Sequence, residues 1–197
     1  MTLLVFAVAA LWILVLVLAT VVVVMLRQIG VLYERISPMG ALMDDAGPRV
    51  GEPGPRFTPR SLTGPEIIVG GAIGRAQLLF FLSPTCPVCK QLLPVLASIR
   101  ADEKAWLDVV LASDGEESKH SDFIRREKLG DFPYVLSTEL GMAYRVQRLP
   151  FAVLTDKAGV VRAKGLINNR EQLESLFSAL STGVPSLQQY AVNHAAE

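Results

Sequence analysis

The chain begins with a long apolar run and then changes to short apolar segments separated by polar ones. Every residue from 3 to 26 is apolar except Thr20. At about 1.5 Å per residue, a helix over this stretch is about 36 Å long, enough to cross a hydrocarbon core of about 30 Å. The pattern predicts an N-terminal transmembrane anchor over residues 1–27, in contact with the lipid bilayer through residues 3–26.

The alternative interpretation of this run is a cleaved signal peptide. The run exceeds the roughly 7–15 apolar residues of a signal-peptide core, no Lys or Arg precedes it, and no A-x-A cleavage site follows it. These features favour an uncleaved anchor. Arg27 and Arg35 follow the span and, by the positive-inside rule, favour a cytoplasmic position for the domain behind it.

A stretch rich in proline and glycine separates the anchor from the rest of the chain. Both residue types recur throughout residues 37–60, where they oppose regular helices and strands. We therefore expect a linker and extended lead-in over residues 28–60. The remaining boundaries are a globular domain over residues 61–183 and a flexible C-terminal tail over residues 184–197.

The pattern after the linker alternates between short apolar runs and amphipathic segments. Apolar runs of strand length alternate with segments of helical period, which is typical of an α/β domain. A turn at 156–159 predicts a hairpin, and Asn168 or Asn169 is positioned to cap the last helix. Strands are predicted over 67–69, 77–82, 106–112, 132–136, 151–155 and 160–164, and helices over 87–100, 117–129, 139–145 and 170–181. The order predicts a mixed central sheet flanked by helices.

Composition narrows the class of function. Lys plus Arg and Asp plus Glu both number 19, so the net charge is zero. A protein built to bind nucleic acid would show a basic excess, and we expect no such partner. The hydrophobic fraction of 51% excludes a disordered chain, although the anchor accounts for part of it.

The only two cysteines of the chain, Cys86 and Cys89, lie three residues apart where a predicted strand gives way to a helix. Unpaired backbone N–H groups and the helix dipole stabilise a thiolate at such a helix start. Pro87 suits the first helical turn, and Val88 brings neither charge nor hydrogen bond. We expect Cys86 to be the exposed nucleophile and Cys89 the buried thiol that resolves a mixed disulfide.

The cysteine pair has two other interpretations. A structural zinc site usually needs four ligands, and His120 and His194 are poorly placed to complete one. We interpret both histidines as solvated. A purely structural disulfide is also disfavoured, because a two-residue loop constrains little of the unfolded chain. The pattern favours redox chemistry.

The segment SPTCPVCKQLLP resembles the active-site segment of thioredoxin-like proteins. Pro94 resembles the proline that kinks their active-site helix. Leu149-Pro150 resembles their cis-proline loop, which implies a cis Pro150 and a Leu149 backbone that pairs with substrate. The resemblance, over roughly residues 50–182, implies a thioredoxin-like fold behind one transmembrane helix. Two positions depart from it: Phe80 replaces an acidic residue, and Thr85 replaces a tryptophan.

The whole chain is most similar to the MauD family of methylamine-utilisation accessory proteins, through its anchor, its GEPGPRF lead-in and its PTCPVCK site. The resemblance implies maturation of the methylamine dehydrogenase small subunit by disulfide formation or reshuffling. It implies a single-pass protein of the bacterial inner membrane with its domain in the periplasm, where disulfides persist. It further implies a membrane or periplasmic redox partner and no cofactor beyond the Cys86–Cys89 disulfide. The periplasmic position opposes the flanking arginines, but long domains are translocated largely regardless of such charges.

Three alternatives to this function remain open from the sequence. The same chemistry would serve another exported client, such as apocytochrome c. A copper metallochaperone would hold the metal on the two thiols, although no His accompanies Leu149-Pro150. A scaffold would bind the subunit without using the cysteines at all.

Overall fold

The structure is a computed structural model that describes residues 1–35 and 47–182. The chain divides into two compact units, Met1–Ala41 and Leu42–Glu197, which are considered separately below. The predicted tail over residues 184–197 and the middle of the predicted linker lie outside the described residues.

The N-terminal unit contains one helix, α1, over Thr2–Arg35. Its stretch Leu4–Val23 has a mean hydropathy of 3.0 and is long and apolar enough to cross a membrane. The Thr20 hydroxyl donates to the Leu16 carbonyl at 2.8 Å, so the one polar side chain of the stretch is satisfied within the helix. The helix continues beyond the predicted anchor boundary at residue 27, because no proline interrupts the chain before Pro38.

The second unit is built on a mixed sheet, as predicted, with five strands in place of the six predicted. The strands are β1 (Ala76–Phe81), β2 (Leu107–Ser113), β3 (Tyr134–Leu136), β4 (Phe151–Thr155) and β5 (Val161–Leu166). Their order across the sheet is β3-β2-β1-β4-β5. The first three strands are mutually parallel, and β4 and β5 pair antiparallel. The long apolar segments occupy the centre of the sheet, where both faces are covered.

Four helices connect and flank these strands. They are α2 (Pro87–Asp102), α3 (Glu117–Arg126), α4 (Thr138–Ala143) and α5 (Arg170–Thr182). The Asn169 side chain accepts a hydrogen bond from the Gln172 backbone N–H at 2.8 Å, which identifies it as the cap of α5. Helix α3 ends before the predicted residue 129, because Lys128 has a left-handed backbone with φ of 55°.

The sheet separates two apolar cores, and neighbouring residues of β1 supply opposite cores. Phe80 points into the first core and Phe81 into the second, as the alternation of a strand requires. The first core also contains Tyr134 of β3 and side chains from α2, α3 and α5, among them Cys89, Leu96, Phe123 and Leu173. The second core contains Leu79, Val110, Leu140, Tyr144, Phe151 and Val153.

The lead-in is part of the domain and reaches both edges of the sheet. The Gly51 N–H donates to the Val161 carbonyl of β5 at 2.8 Å, and the Leu62 N–H donates to the Tyr134 carbonyl of β3 at 2.7 Å. These contacts cover edge strands that would otherwise expose free backbone groups. The domain therefore begins well before the predicted residue 61.

The strand predicted over residues 67–69 is wrong. Only Val69 forms a bridge, with Phe57 of the lead-in. Gly70 and Gly71 follow at once with φ of 70° and 67°, and this left-handed backbone turns the chain away before a strand can extend.

Candidate active site

The two cysteines lie on a short loop and helix that follow the central strand β1. The Leu82 N–H donates to the Ala112 carbonyl at 2.9 Å, and the Ser113 hydroxyl donates to the Leu82 carbonyl at 2.7 Å. These bonds fix the loop against β2. Cys86 then caps α2, and its Sγ accepts a hydrogen bond from the Cys89 N–H at 3.3 Å.

The two sulfurs occupy different environments. Cys86 is half-buried, at the positive end of the α2 dipole, whereas Cys89 is fully buried in the first core. Burial, assisted by the hydrogen bond with Cys86, raises the pKa of Cys89 to about 12. Cys89 therefore holds its proton at neutral pH, while Cys86 is the sulfur that a reactant reaches first.

The first turn of α2 shapes the cysteine pair. Pro87 is exposed at the first helical position, where its missing N–H breaks no helical bond. Val88 is half-buried against the first core. Pro94 lies inside the helix on its exposed side and leaves the Lys90 carbonyl without its usual helical donor.

The Leu149–Pro150 peptide bond is cis. Strand β4 begins at the next residue, Phe151, which pairs with Phe81 at the end of β1. The cis bond and the cysteine loop therefore lie at the same end of the sheet. Leu149 is 39% exposed, and no described residue forms a hydrogen bond with its backbone N–H or carbonyl, whereas the buried Pro150 accepts from the Ile167 N–H at 3.1 Å.

The two positions that depart from the thioredoxin pattern have distinct surroundings. Phe80 is completely buried in the first core, so an apolar ring occupies the place where the resemblance implies a carboxylate. Thr85 is exposed, and its hydroxyl is 2.9 Å from that of Ser83.

The prediction that His120 is solvated is wrong. Its side chain is only 3% exposed, because it lies on the inward side of α3 together with Phe123. The ring Nδ1 is 2.8 Å from the Tyr134 hydroxyl, and Nε2 is 2.9 Å from the Asp114 carbonyl. The i, i+3 spacing of His120 and Phe123 was the available signal for burial. His194 lies outside the described residues.

A cavity of about 630 Å³ opens beside the cysteine loop. One wall is formed by the residues just before Cys86, and the other by the beginning of α3, including His120. Its charged lining residues are Asp114, Glu116, Lys119, Asp122, Arg125 and Arg126. Within residues 1–35 and 47–182, no cluster of three or more His, Cys, Asp or Glu side chains is suited to hold a metal ion.

Solved structures define the class of fold. A proposed thiol:disulfide interchange protein DsbE from Chlorobium tepidum superposes with a TM-score of 0.60 at 22% identity, over 68% of this chain and 99% of that one. The thioredoxin domain of a thiol-disulfide oxidoreductase from Bacteroides vulgatus gives 0.56 at 20% identity, over 69% and 98%. StoA from Bacillus subtilis gives 0.54 at 24% identity, over 63% and 97%. The second unit therefore has the thioredoxin-like fold, as predicted.

Sequence relatives identify the family. No protein-family model matches the chain. The methylamine utilization protein MauD of Paracoccus versutus is 46% identical, over 96% of this chain and 95% of its own length. MauD of Methylobacillus flagellatus is 45% identical and that of Methylorubrum extorquens 46%, each over 91% of this chain and 88% of its own length. The chain belongs to the MauD family.

Proposed function

We propose that this protein is a membrane-anchored thiol–disulfide oxidoreductase that forms or reshuffles disulfides in the methylamine dehydrogenase small subunit during its maturation. The observation that carries the proposal is the asymmetric pair of Cys86 and Cys89 at the start of α2, in a chain of the MauD family. A membrane or periplasmic redox partner restores the Cys86–Cys89 disulfide, and no other cofactor is required.

The environments of the two sulfurs support the order of the chemical steps. A client thiolate attacks Cys86 Sγ, the Cys86–Cys89 bond breaks, and Cys89 leaves with the electron pair and takes up a proton. The high pKa of Cys89 favours that uptake. A second client thiolate then attacks the client sulfur and releases Cys86 as a thiolate, so the client is oxidised by two electrons and the site is reduced. The reverse sequence opens a wrong disulfide.

The cis-proline loop supports the binding of an extended client segment. Leu149 is 39% exposed and its backbone has no hydrogen-bond partner among the described residues, so it is available to pair with a client strand at the end of the sheet that carries the cysteine loop. Pro150 is buried behind it and fixes its direction.

Location in the inner membrane, with the domain in the periplasm, is part of the proposal. The apolar stretch Leu4–Val23 is suited to span the bilayer once. A protein that makes disulfides is useful where they persist. Protease added outside spheroplasts is expected to degrade the domain, and full protection of it would contradict this orientation.

The experiment that tests the function is the capture of a client on Cys86 in cells that make methylamine dehydrogenase. In Cys89→Ser, the mixed disulfide between Cys86 and the client has no resolving thiol and accumulates. We expect the dehydrogenase small subunit in the complex, released by reductant. The control is the double variant Cys86→Ser, Cys89→Ser, which should capture nothing, with its fold checked by circular dichroism.

Two outcomes would overturn this proposal. Complete dehydrogenase maturation in cells that carry the double variant would show that the cysteines are idle. Capture of apocytochrome c in place of the small subunit would assign the chemistry to another client.

A further inference from the structure

His120 and Tyr134 form a buried, hydrogen-bonded pair that the cysteine chemistry described above does not use. We propose that these two side chains form a proton relay that serves Cys89, taking its proton when it attacks and returning one when it leaves. The inference deepens the proposed function, since it requires exchange at Cys86 and Cys89 but no particular client.

The hydrogen bonds of His120 determine where its proton lies. The Asp114 carbonyl, 2.9 Å from Nε2, accepts only, so the neutral ring carries its hydrogen on Nε2. Nδ1 is then the acceptor and receives the hydroxyl hydrogen of Tyr134 across 2.8 Å. Burial lowers the pKa of His120, which keeps the ring neutral and ready to take a proton at neutral pH. The neutral His120 ring can therefore accept a proton from Tyr134 at Nδ1.

Tyr134 is held rigidly between His120 and the cysteine side of the first core. Its backbone N–H donates to the hydroxyl oxygens of Ser61 and Thr63, each at 3.1 Å, and its carbonyl accepts from the Leu62 N–H. The lead-in thereby fixes an otherwise free edge strand at the residue that carries the hydroxyl.

Tyr134 and Cys89 are fully buried in the same apolar core. Burial is the main cause that raises the pKa of Tyr134; a hydrogen bond with the Ser113 side chain lowers it, and the charge of Cys89 raises it. No hydrogen bond joins Tyr134 and Cys89 in the described part of the free protein. Contacts between catalytic groups often tighten only when the reacting complex forms.

Burial keeps the Cys89 thiol protonated, although the thiol has hydrogen bonds with Cys86 and with the Ser83 backbone. Its thiol has a pKa of about 12, so very little thiolate exists at neutral pH. Phe80, on the neighbouring strand, brings an apolar ring to the same core and no carboxylate. The polar pair on the β3 and α3 side of this core is positioned to accept the Cys89 proton.

The other charged groups around His120 lie at the cavity rim. On α3 and its cap, Lys119 pairs with Glu116 at 3.0 Å, and Arg125 pairs with Asp122. Arg126 and Asp114 also line the cavity. Tyr134 on the facing strand β3 and Cys89 on α2 belong to the first core, and Cys86 packs against that core. Both ion pairs are well exposed, so solvent screens them and His120 responds mainly to its burial.

Proton transfer through the relay accompanies closure of the Cys86–Cys89 bond. Cys89 gives its proton to the Tyr134 oxygen as Tyr134 passes its own to His120 Nδ1. The Cys89 thiolate attacks Cys86 Sγ, the Cys86–Cys89 bond forms, and the bond between Cys86 and the client sulfur breaks. The client leaves as a thiolate with the electron pair, and the imidazolium loses a proton to water in the cavity that His120 lines.

The test uses the full chain, reduced and in detergent, with Ellman's reagent as the probe. Attack by Cys86 releases one coloured thiolate, and attack by Cys89 on the resulting mixed disulfide releases a second. The two phases therefore report the two cysteines separately. The variants are Tyr134→Phe, which keeps the ring, and His120→Gln, with Tyr144→Phe as the control for loss of a buried hydroxyl.

We expect both relay variants to slow the second phase by at least about tenfold near neutral pH and to leave the first phase unchanged. In the wild-type chain, the second-phase rate should level off above the pKa of His120. In the variants it should keep rising by about tenfold per pH unit, because only free thiolate reacts.

Three results would overturn the relay. They are a wild-type profile that rises without levelling off, second phases in both variants that match the wild type, or equal slowing by Tyr144→Phe. The wild-type profile decides the question even if a variant fails to fold. Absence of the first phase would instead contradict the proposed function, since it reports Cys86 alone.

Discussion

Two tyrosines are buried on opposite faces of the sheet, and their hydroxyl groups differ in hydrogen bonding. Tyr134 in the first core is completely buried and bonded through its hydroxyl to His120. Tyr144 in the second core is 1% exposed, and its hydroxyl has no hydrogen-bond partner among the described residues. Burial raises the pKa of both phenols, that of Tyr144 to about 12. Equal burial therefore accompanies a hydrogen-bonded hydroxyl in the first core and, among the described residues, an unpartnered hydroxyl in the second.

The difference lies in what each tyrosine packs against. The ring of Tyr144 is 5.8 Å from that of Phe81, and its hydroxyl end meets the backbone of the lead-in. A Cβ at Gly54 would come within 2.7 Å of that hydroxyl, so the lead-in approaches closely only because glycine stands there. The lead-in thus contacts both tyrosines, through Ser61 and Thr63 at Tyr134 and through Gly54 at Tyr144, but only the first core surrounds the cysteine chemistry.

The largest expected effects come from Phe80→Ala and Phe81→Ala, neighbours on β1 that point into different cores. Each removes a buried ring, and we expect each to lower the free energy of unfolding by about 3–5 kcal/mol. Only Phe80→Ala should also alter the reactivity of Cys89, which shares its core. Denaturant unfolding followed by circular dichroism measures the first effect, and the second phase with Ellman's reagent measures the other.

A clear asymmetry in stability would contradict this view of the two cores. If Phe81→Ala lowered the free energy of unfolding by less than about 1 kcal/mol, the second core would not be packed as the structure shows. If Phe81→Ala changed the Cys89 phase as much as Phe80→Ala, the sheet would not insulate the two faces.

A second prediction concerns the close approach of the turn at Gly70 and Gly71 to the β4–β5 hairpin. Gly159 and Gly74 both have φ of 78°, but a Cβ at Gly159 would lie 2.2 Å from the Gly71 carbonyl carbon, whereas nothing lies within 4 Å at Gly74. Gly74→Ala should cost about 1–2 kcal/mol, since only the left-handed backbone is strained. Gly159→Ala should cost clearly more in the same unfolding assay. Equal decreases in the free energy of unfolding would mean that the close approach to Gly71 adds no steric cost.

The fold was largely predictable because its elements are strongly patterned. The bounds of β4 match the prediction over residues 151–155, and the mixed sheet is confirmed. The lead-in was not predictable as part of the sheet edges, because its contacts are backbone bonds such as Gly51 to Val161 that no side-chain pattern records. The same holds for Val69, whose apolar neighbours suggested a strand that Gly70 prevents.

The candidate site was predictable only in part. Cys86 and Cys89 are marked by their spacing and the Pro87 between them, so the sequence alone locates them. Their roles remain predictions. The burial of His120 was not predicted, because charged neighbours surround it along the chain. Its burial depends on the packing of α3 against β3, which brings together residues 14 apart in sequence. Local composition does not encode such a contact.

A third prediction uses the burial of His120. Because burial lowers its pKa below the ordinary 6.5, the unfolded chain binds a proton at a higher pH than the folded chain does. The contribution to stability is therefore complete above about pH 6.5 and is lost as the pH falls through 6.5 towards the folded pKa. Unfolding free energies between about pH 7.5 and 5 should decline in the wild type and decline less in His120→Gln. Parallel curves would show that His120 is not buried in its neutral form.

The smallest expected effect is that of Tyr144→Phe. The substitution removes a buried hydroxyl that has no described partner and keeps the ring against Phe81. Unfolding should therefore require the same free energy or up to about 1 kcal/mol more, because a desolvated polar group is lost and no hydrogen bond is broken. Tyr134→Phe, which breaks the bond to His120, should instead lower it by about 1 kcal/mol. Denaturant midpoints measured side by side decide the matter: a loss at Tyr144 as large as that at Tyr134 would mean that both hydroxyls are bonded and that the contrast between the two faces is false.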